Sequence, residues 1–237
     1  MSQTFQPSDF NITEALIAQG INVSALPELT ALERRSSDLA CNIAVSTLPS
    51  RLVKTQTQSL YYQCSSLYKI YGNDAVEFRA EPEYMAFTSG FWSGISAEVK
   101  PFCIFKPSNP KAVSVLVLIS RLSLCPFAVK SGGHSAFAGA ATIEGGITAS
   151  FENLNDIKLS SDKKTVSVQS GNKWRDVLTA LSTTGVTVVG GRIGDLGVGG
   201  LTLGGGISFL SNEYGLACDN VASFEVFSKH FQISPLI

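Results

Sequence analysis

The chain has 237 residues, 44% of them hydrophobic and 16% charged, with 18 basic against 19 acidic side chains for a net charge of -1. That length suffices for one sizeable domain or two modest ones with real cores. The charge balance excludes the basic footprint of a nucleic-acid binder, and the apolar content without low-complexity tracts excludes a disordered chain.

Met1 to Pro7 shows no basic start followed by an apolar core, so no secretory signal is visible and an intracellular location is slightly favoured. No apolar stretch approaches the roughly 20 residues that span a bilayer. Asn11 with Glu14 reads as a helix start and Gly20 as its stop. Asn11-Ile12-Thr13 and Asn22-Val23-Ser24 match glycosylation sequons, which matter only in a secreted chain. A second helical stretch runs from Leu29 to Val45. Tyr61 to Phe91 mixes aromatics, charges and turn residues without a period, and no element is assigned there.

From Val99 the pattern sharpens. Cys103 to Lys106 reads as a short strand, and Ser108-Asn109-Pro110 combines a capping residue with proline at the first helical position. The apolar run from Ala112 to Leu124 is interrupted by Ser114, Ser120, Arg121 and Ser123, which marks a buried helix rather than a membrane span. Phe127 to Lys130 is the next strand. Gly146 to Phe151 follows, then a hairpin pairing Ile157–Leu159 with Thr165–Gln169. Asn172 is expected to cap a helix to Leu181, stopped by Gly185, and Val186 to Val189 reads as an apolar strand. Val221 to Phe227 reads as the last strand. Hairpin and crossover connections together give an α+β class with mixed sheets.

The five cysteines, Cys41, Cys64, Cys103, Cys125 and Cys218, form an odd set without a Cys-x-x-Cys pair. They show no metal-type spacing, and buried thiols are the plain reading.

Two glycine-rich segments carry the chemistry. The first is Lys130-Ser131-Gly132-Gly133-His134-Ser135, delivered by a strand and ending in one of the chain's two histidines. The second runs from Gly190 through Gly206. Glycine lets backbone N–H groups approach a ligand closely, and consecutive exposed amides make a concave anion site such as one for a pyrophosphate. Two such loops point to a nucleotide cofactor. The plainer alternatives are a water-satisfied surface His134 and a close-packed turn over 190–206. No Gly-Lys-Ser or Gly-Lys-Thr exists for a P-loop, and no strand–Gly-x-Gly-x-x-Gly–helix unit with a following acid supports a Rossmann site.

Three segments, Val129 to Ser135, Gly197 to Ser208 and Tyr214 to Val221, resemble one family in order and context. It is the vanillyl-alcohol oxidase and p-cresol methylhydroxylase superfamily of flavoproteins, in particular its berberine-bridge-enzyme-like, FAD-linked branch. The resemblance, from about Glu98 to Val226, implies a PCMH-type FAD-binding domain of two α+β subdomains over residues 98–237, after an N-terminal helical and irregular region over 1–97. It implies that Ser131, Gly132, Gly133 and Ser135 hold the FAD pyrophosphate. His134 matches the histidine that many members link covalently to the flavin 8α-methyl. Gly197, Val198, Gly199, Gly200, Thr202, Gly204, Gly205 and Gly206 would line the ribityl chain and ring, with Asp219 to Val226 near the adenine.

The implied activity is an FAD-dependent oxidase, with hydride passing from a small-molecule substrate to flavin and electrons then to O2. The alternative is a non-catalytic FAD-binding fragment. Oligomeric state is open, and no metal site is expected. Cys41 and Cys103 stand where secreted relatives often have a disulfide, while the missing signal argues for reduced thiols in this chain. Ile193 stands where some relatives carry a second, cysteinyl flavin link, so only the histidyl link is available. The stretch from Tyr62 to Met85, before Trp92-Ser93, is longer and less patterned than the family's usual link. After Val226 the family continues into a substrate domain, whereas Ser228 to Ile237 lacks its pattern. The expectation is therefore a truncated form in which no catalytic base can be named. Its final strand, Val221 to Phe227, would lack the strand that usually follows and be left with an unpaired edge.

Overall fold

A computed structural model of the chain describes residues 11–26, 63–123, 125–227 and 233–236. The expected helix from Leu29 to Val45 lies outside these residues.

The first lobe is a four-stranded mixed sheet in the order β1-β2-β4-β3. Its strands are β1 (Val76–Phe78), β2 (Cys103–Phe105), β3 (Phe127–Lys130) and β4 (Ile147–Ser150). β1 runs antiparallel to β2, while β2 and β3 both run parallel to β4. The expected strand–helix–strand unit is present, but its two strands flank β4 rather than each other.

The crossover helix, Pro110–Ser123, begins as expected, with the Asn109 side chain accepting from the Ala112 N–H at 3.0 Å. Its buried residues Ala112, Val115, Leu116, Ile119 and Leu122 recur at helical spacing and form one face against the sheet. From the N-terminal side, α1 (Ile12–Ala18) adds the fully buried Leu16 to the same core. Asn11 caps α1 through the Glu14 N–H, and Gly20 follows its end at positive φ, both as the sequence predicts.

The unassigned stretch before Phe91 forms elements that serve this lobe. Residues 63–71 are helical, β1 supplies an edge strand, and α2 (Pro82–Ser89) and α3 (Gly94–Glu98) lead into β2. We label the crossover helix α4. Cys64, on the helical residues 63–71, is disulfide-bonded to Cys103 on β2, with Cα atoms 6.2 Å apart. This corrects the Cys41–Cys103 pairing suggested by secreted relatives: the Cys103 sulfur is taken by Cys64, and Cys41 lies outside the described residues. Of the other described cysteines, Cys125 is buried and Cys218 half-buried.

The second lobe is smaller. The hairpin β5 (Ile157–Leu159) and β6 (Val166–Val168) pairs Ile157 with Val168 and packs on α5 (Trp174–Leu181). Trp174, Val177 and Leu181 are buried at i, i+3 and i+7, one stripe of the helix. The helix starts one residue later than expected. Lys173 is the N-cap, closed by the Asp176 carboxylate accepting from the Lys173 N–H. Asn172 is instead buried and donates to the Asp156 and Gln169 carbonyls.

Val186 to Val189 is not a strand. Val186 and Val188 put their side chains into this second core without joining a ladder. The final strand also differs from expectation. β7 (Phe224–Phe227) is shorter, lies against α4, and pairs antiparallel with β8 (Ile233–Leu236), so the edge expected to be open is filled within the chain.

Candidate functional site

The two glycine loops meet where the lobes face each other. β3 ends at Lys130, and the chain then passes through Ser131-Gly132 directly against Leu196-Gly197. A β-carbon built on Gly132 would sit 2.3 Å from the Gly197 nitrogen, and one on Gly197 would sit 2.2 Å from the Gly132 nitrogen. Only glycine on both strands permits this crossing. It is pinned by the Ser131 hydroxyl donating to the Ser170 carbonyl at 2.5 Å and by the Val198 N–H donating to the Asn172 carbonyl at 2.9 Å.

Beyond the crossing, Gly133 takes φ +70° over the Lys130 side chain, whose Cε would be 2.7 Å from an added β-carbon. The turn leaves a row of backbone donors unused. Among the described residues, the N–H groups of Gly132, Gly133, His134 and Ser135 donate to no main-chain carbonyl. Buried backbone N–H groups are almost always paired, and of these four Gly133 is buried and the others half-buried. Successive amides free of main-chain partners in a glycine turn are a feature that can hold an anion. The Ser135 carbonyl is tied down by the Ser96 hydroxyl at 3.2 Å, and the Ser135 hydroxyl accepts from the Phe137 N–H.

The second run folds into a short helix followed by a glycine turn. Gly197 is the N-cap of α6 (Val198–Leu203), in which Thr202 is buried and Gly200 has nothing within 4 Å of an added β-carbon. Gly204 ends the helix, and Gly205 and Gly206 then turn at positive φ, with Gly206 against Leu201 and Ala217. The Gly205 and Gly206 carbonyls accept from Cys218 and Ala217, which places the segment carrying Asp219 beside this turn. The Asp219 carboxylate accepts from the Leu216 N–H at 2.8 Å, so it closes its own turn. Val226 sits in β7 opposite Ser234, against α4 rather than within the loop crossing. Gly199 lies close to Ser131 and Ser170. Ile193 and Leu203 in the second run, and Ile207 and Phe209 just after it, are exposed.

Two charged features escape sequence reading. Lys130 points back under the first loop, its ammonium 4.8 Å from the Phe87 ring centroid and 5.5 Å from that of Phe91. Burial lowers its pKa below the ordinary lysine value, and the two aromatic faces hold the cation by their quadrupoles. Behind it, Lys106 at the end of β2 bridges Glu77 at 2.5 Å and Glu152 at 2.6 Å. Burial alone would lower the Lys106 pKa, but the two carboxylates outweigh it and raise it. Burial would likewise raise that of Glu152, yet the hydrogen bonds from Lys106 and Ser150 hold it below the carboxylate norm. This network braces the ends of β1, β2 and β4 under the loop.

Trp92 is the other missed residue. It stands in the loop between α2 and α3, and its ring lies flat against the His134 imidazole, centroids 4.4 Å apart and planes inclined by 16°. The pair Trp92-Ser93 is visible in the sequence, but the stack joins segments far apart in the chain.

Comparison with known proteins gives a consistent result. The sequence profile of an FAD binding domain matches residues 101–230. The chain is 40% identical over 158 residues to the FAD-dependent monooxygenase FUP4 of Fusarium proliferatum, a match covering 65% of this chain and 31% of that protein. It is 42% identical over 136 residues to the FAD-dependent monooxygenase tpcD of Cochliobolus heterostrophus, covering 57% of this chain and 26% of that one. Among solved structures, 6-hydroxy-D-nicotine oxidase of Arthrobacter nicotinovorans superposes with a TM-score of 0.63 at 25% identity, over 68% of this chain and 35% of that chain. The chain thus spans about a third of the length of the proteins it matches.

Proposed function

Since the chain belongs to the PCMH-type FAD-binding flavoproteins, we propose that the crossing of its two glycine loops is the FAD site of an FAD-dependent oxidoreductase acting on a small organic molecule. The observation that carries the assignment is the row of four unused amides from Gly132 to Ser135 beside the open flank of α6. A diphosphate needs N–H donors and close backbone approach, and this turn offers both without a side chain in the way. FAD bound there would supply the redox chemistry, accepting a hydride from the substrate and passing electrons to O2.

The residues of the chain bind and orient. Gly132, Gly133 and Ser135 present amides to the diphosphate, and Ser131, held by Ser170, keeps that turn fixed. Gly197, Val198, Gly199, Gly200 and Thr202 form the facing wall. Gly204, Gly205 and Gly206, with Leu203 and Ile207 beside them, give the ring an apolar border, and Asp219 shapes the turn at its far side. His134 holds an imidazole at the loop's end, where attachment to the 8α-methyl of the flavin would prevent loss of the cofactor.

The test is the absorbance of the purified chain and its response under air. A flavin spectrum at one equivalent, bleached by an organic substrate and restored with hydrogen peroxide formation, supports the whole reading. A yellow protein inert to every substrate keeps the FAD site and removes the oxidase. A colourless protein that takes up no added FAD refutes both.

A further inference from the structure

Trp92 is 65% exposed, an unusual position for a large aromatic side chain, and the structure gives it one task. Its indole covers a face of the His134 imidazole in a nearly parallel stack at 4.4 Å. Both partners are held by contacts of their neighbours. On the Trp92 side, Phe91 is buried and packs edge-on against Phe87 at 5.5 Å, while Ser93 is buried and its carbonyl accepts from the Ala97 N–H of α3 at 3.0 Å. On the His134 side, Gly133 rides on the Lys130 stem, and the Ser135 carbonyl receives the Ser96 hydroxyl from α3. The Lys130 ammonium over the Phe87 and Phe91 rings ties the two sides together. The stack is therefore built by the same short segment that braces the loop.

We propose that Trp92 is the positioning residue for His134, fixing the plane of its imidazole so that a ring nitrogen faces the flavin. This deepens the reading of His134 as the attachment point and rests on it. The lone pair of an imidazole nitrogen lies in the ring plane. An unrestrained ring on a glycine turn would sweep that lone pair through many directions, whereas a ring held flat against indole confines it to one plane. Attachment forms a bond from nitrogen to the 8α carbon and breaks one methyl C–H and the imidazole N–H bond. The two protons and two electrons pass to the flavin ring, from which O2 removes them as hydrogen peroxide. Geometry governs such a step strongly, since a misplacement of about 1 Å costs on the order of a hundredfold in rate.

Two measurements test this. The chain has only two histidines, His134 and His230, so the ring protons of His134 in flavin-free protein can be assigned by comparison with His134→Ala. Those protons should resonate upfield through the indole ring current, return to the unstacked position in Trp92→Leu, and stay shifted in Trp92→Phe. Unshifted His134 protons in the wild type, or a shift that survives Trp92→Leu, would overturn the proposal.

The second measurement separates bound from covalent flavin in protein loaded with FAD, by absorbance before and after acid precipitation. Trp92→Leu should bind FAD as the wild type does yet attach it about a hundredfold more slowly, with Trp92→Phe close to wild type. Wild-type attachment by Trp92→Leu would overturn the proposal. A wild-type protein that releases all its flavin on denaturation would refute the His134 attachment itself, and the ring-current arm then decides the role of Trp92 alone. An unchanged urea midpoint in Trp92→Leu confirms that the exposed site tolerates the change.

Discussion

Replacing Gly132 by alanine puts a single methyl group into the loop crossing, and its cost follows from the neighbours. The new carbon would lie 2.3 Å from the Gly197 nitrogen, 2.7 Å from its Cα and 3.3 Å from the Leu196 carbonyl carbon, all backbone atoms with no rotamer to yield. To reach ordinary contact the two strands must part by about 1 Å. Overpacking of this kind costs about 1–3 kcal/mol, and rigid neighbours place Gly132→Ala near the upper end. The same displacement disturbs the neighbouring amides, so FAD occupancy should fall together with stability. The assay pairs urea denaturation with FAD occupancy read from the ratio of flavin to protein absorbance. Gly200→Ala is the control for the stability arm alone: its added carbon meets no protein atom, and alanine in place of a helical glycine should stabilise by up to about 1 kcal/mol. Gly132→Ala combined with Gly197→Ala should cost less than the two separately, because the strands part only once. A Gly132→Ala protein with unchanged stability and full FAD occupancy would refute the argument that this crossing shapes the site.

Lys106→Met should destabilise by about 3–5 kcal/mol in urea titration, because it strands the buried Glu77 carboxylate; a loss under about 1 kcal/mol would show that water reaches Glu77. The pH dependence of that network has a definite sign. The Glu152 pKa is lowered on folding, so its contribution is present above the ordinary carboxylate value of 4.5 and is lost as pH falls through the lowered value. The Lys106 pKa is raised, so its share is full below 10.5 and is lost only as pH climbs beyond that. Glu152→Gln should accordingly flatten the acid limb of the stability curve, measured as the urea midpoint below pH 5, and an unaltered limb would assign acid sensitivity elsewhere. Removing the bridge with Cys64→Ser and Cys103→Ser together should lower stability by about 4 kcal/mol for a loop of this length, with the second lobe's hydrogen exchange little changed.

The parts of the fold legible in the sequence are those decided locally. Asn109-Pro110 followed by apolar residues at helical spacing predicts α4, Asn11 with Glu14 predicts α1, and the polar turn between Leu159 and Val166 predicts the hairpin. What was misread depends on neighbours remote in sequence. Val186 and Val188 have strand chemistry but meet the α5 core rather than a ladder, so packing overrides their propensity. Phe224–Phe227 gained a partner from a segment whose residues carry a proline and no strong pattern. Cys103 lies beside Cys64 because residues 63–71, to which no element was assigned, form a helix against β2. At the site, each glycine run announces close approach to something, but nothing in either run reveals that Gly132 and Gly197 approach each other. The Trp92–His134 stack is invisible for the same reason.

The strand order carries a consequence for how the protein is made. Among the described residues β3, which delivers Ser131 to Ser135, sits at the edge of the sheet with β4 as its only strand neighbour. On a ribosome β3 emerges first, and residues 131–146 must follow before β4 appears. At about 5–20 residues per second the glycine turn waits a second or more without an anchor. The wait lengthens because its other support, Gly197, is synthesised later still. The nascent chain has therefore completed most of its first-lobe core before the glycine-loop crossing can exist, and, on the proposed assignment of that crossing, cofactor capture comes after the main collapse rather than guiding it.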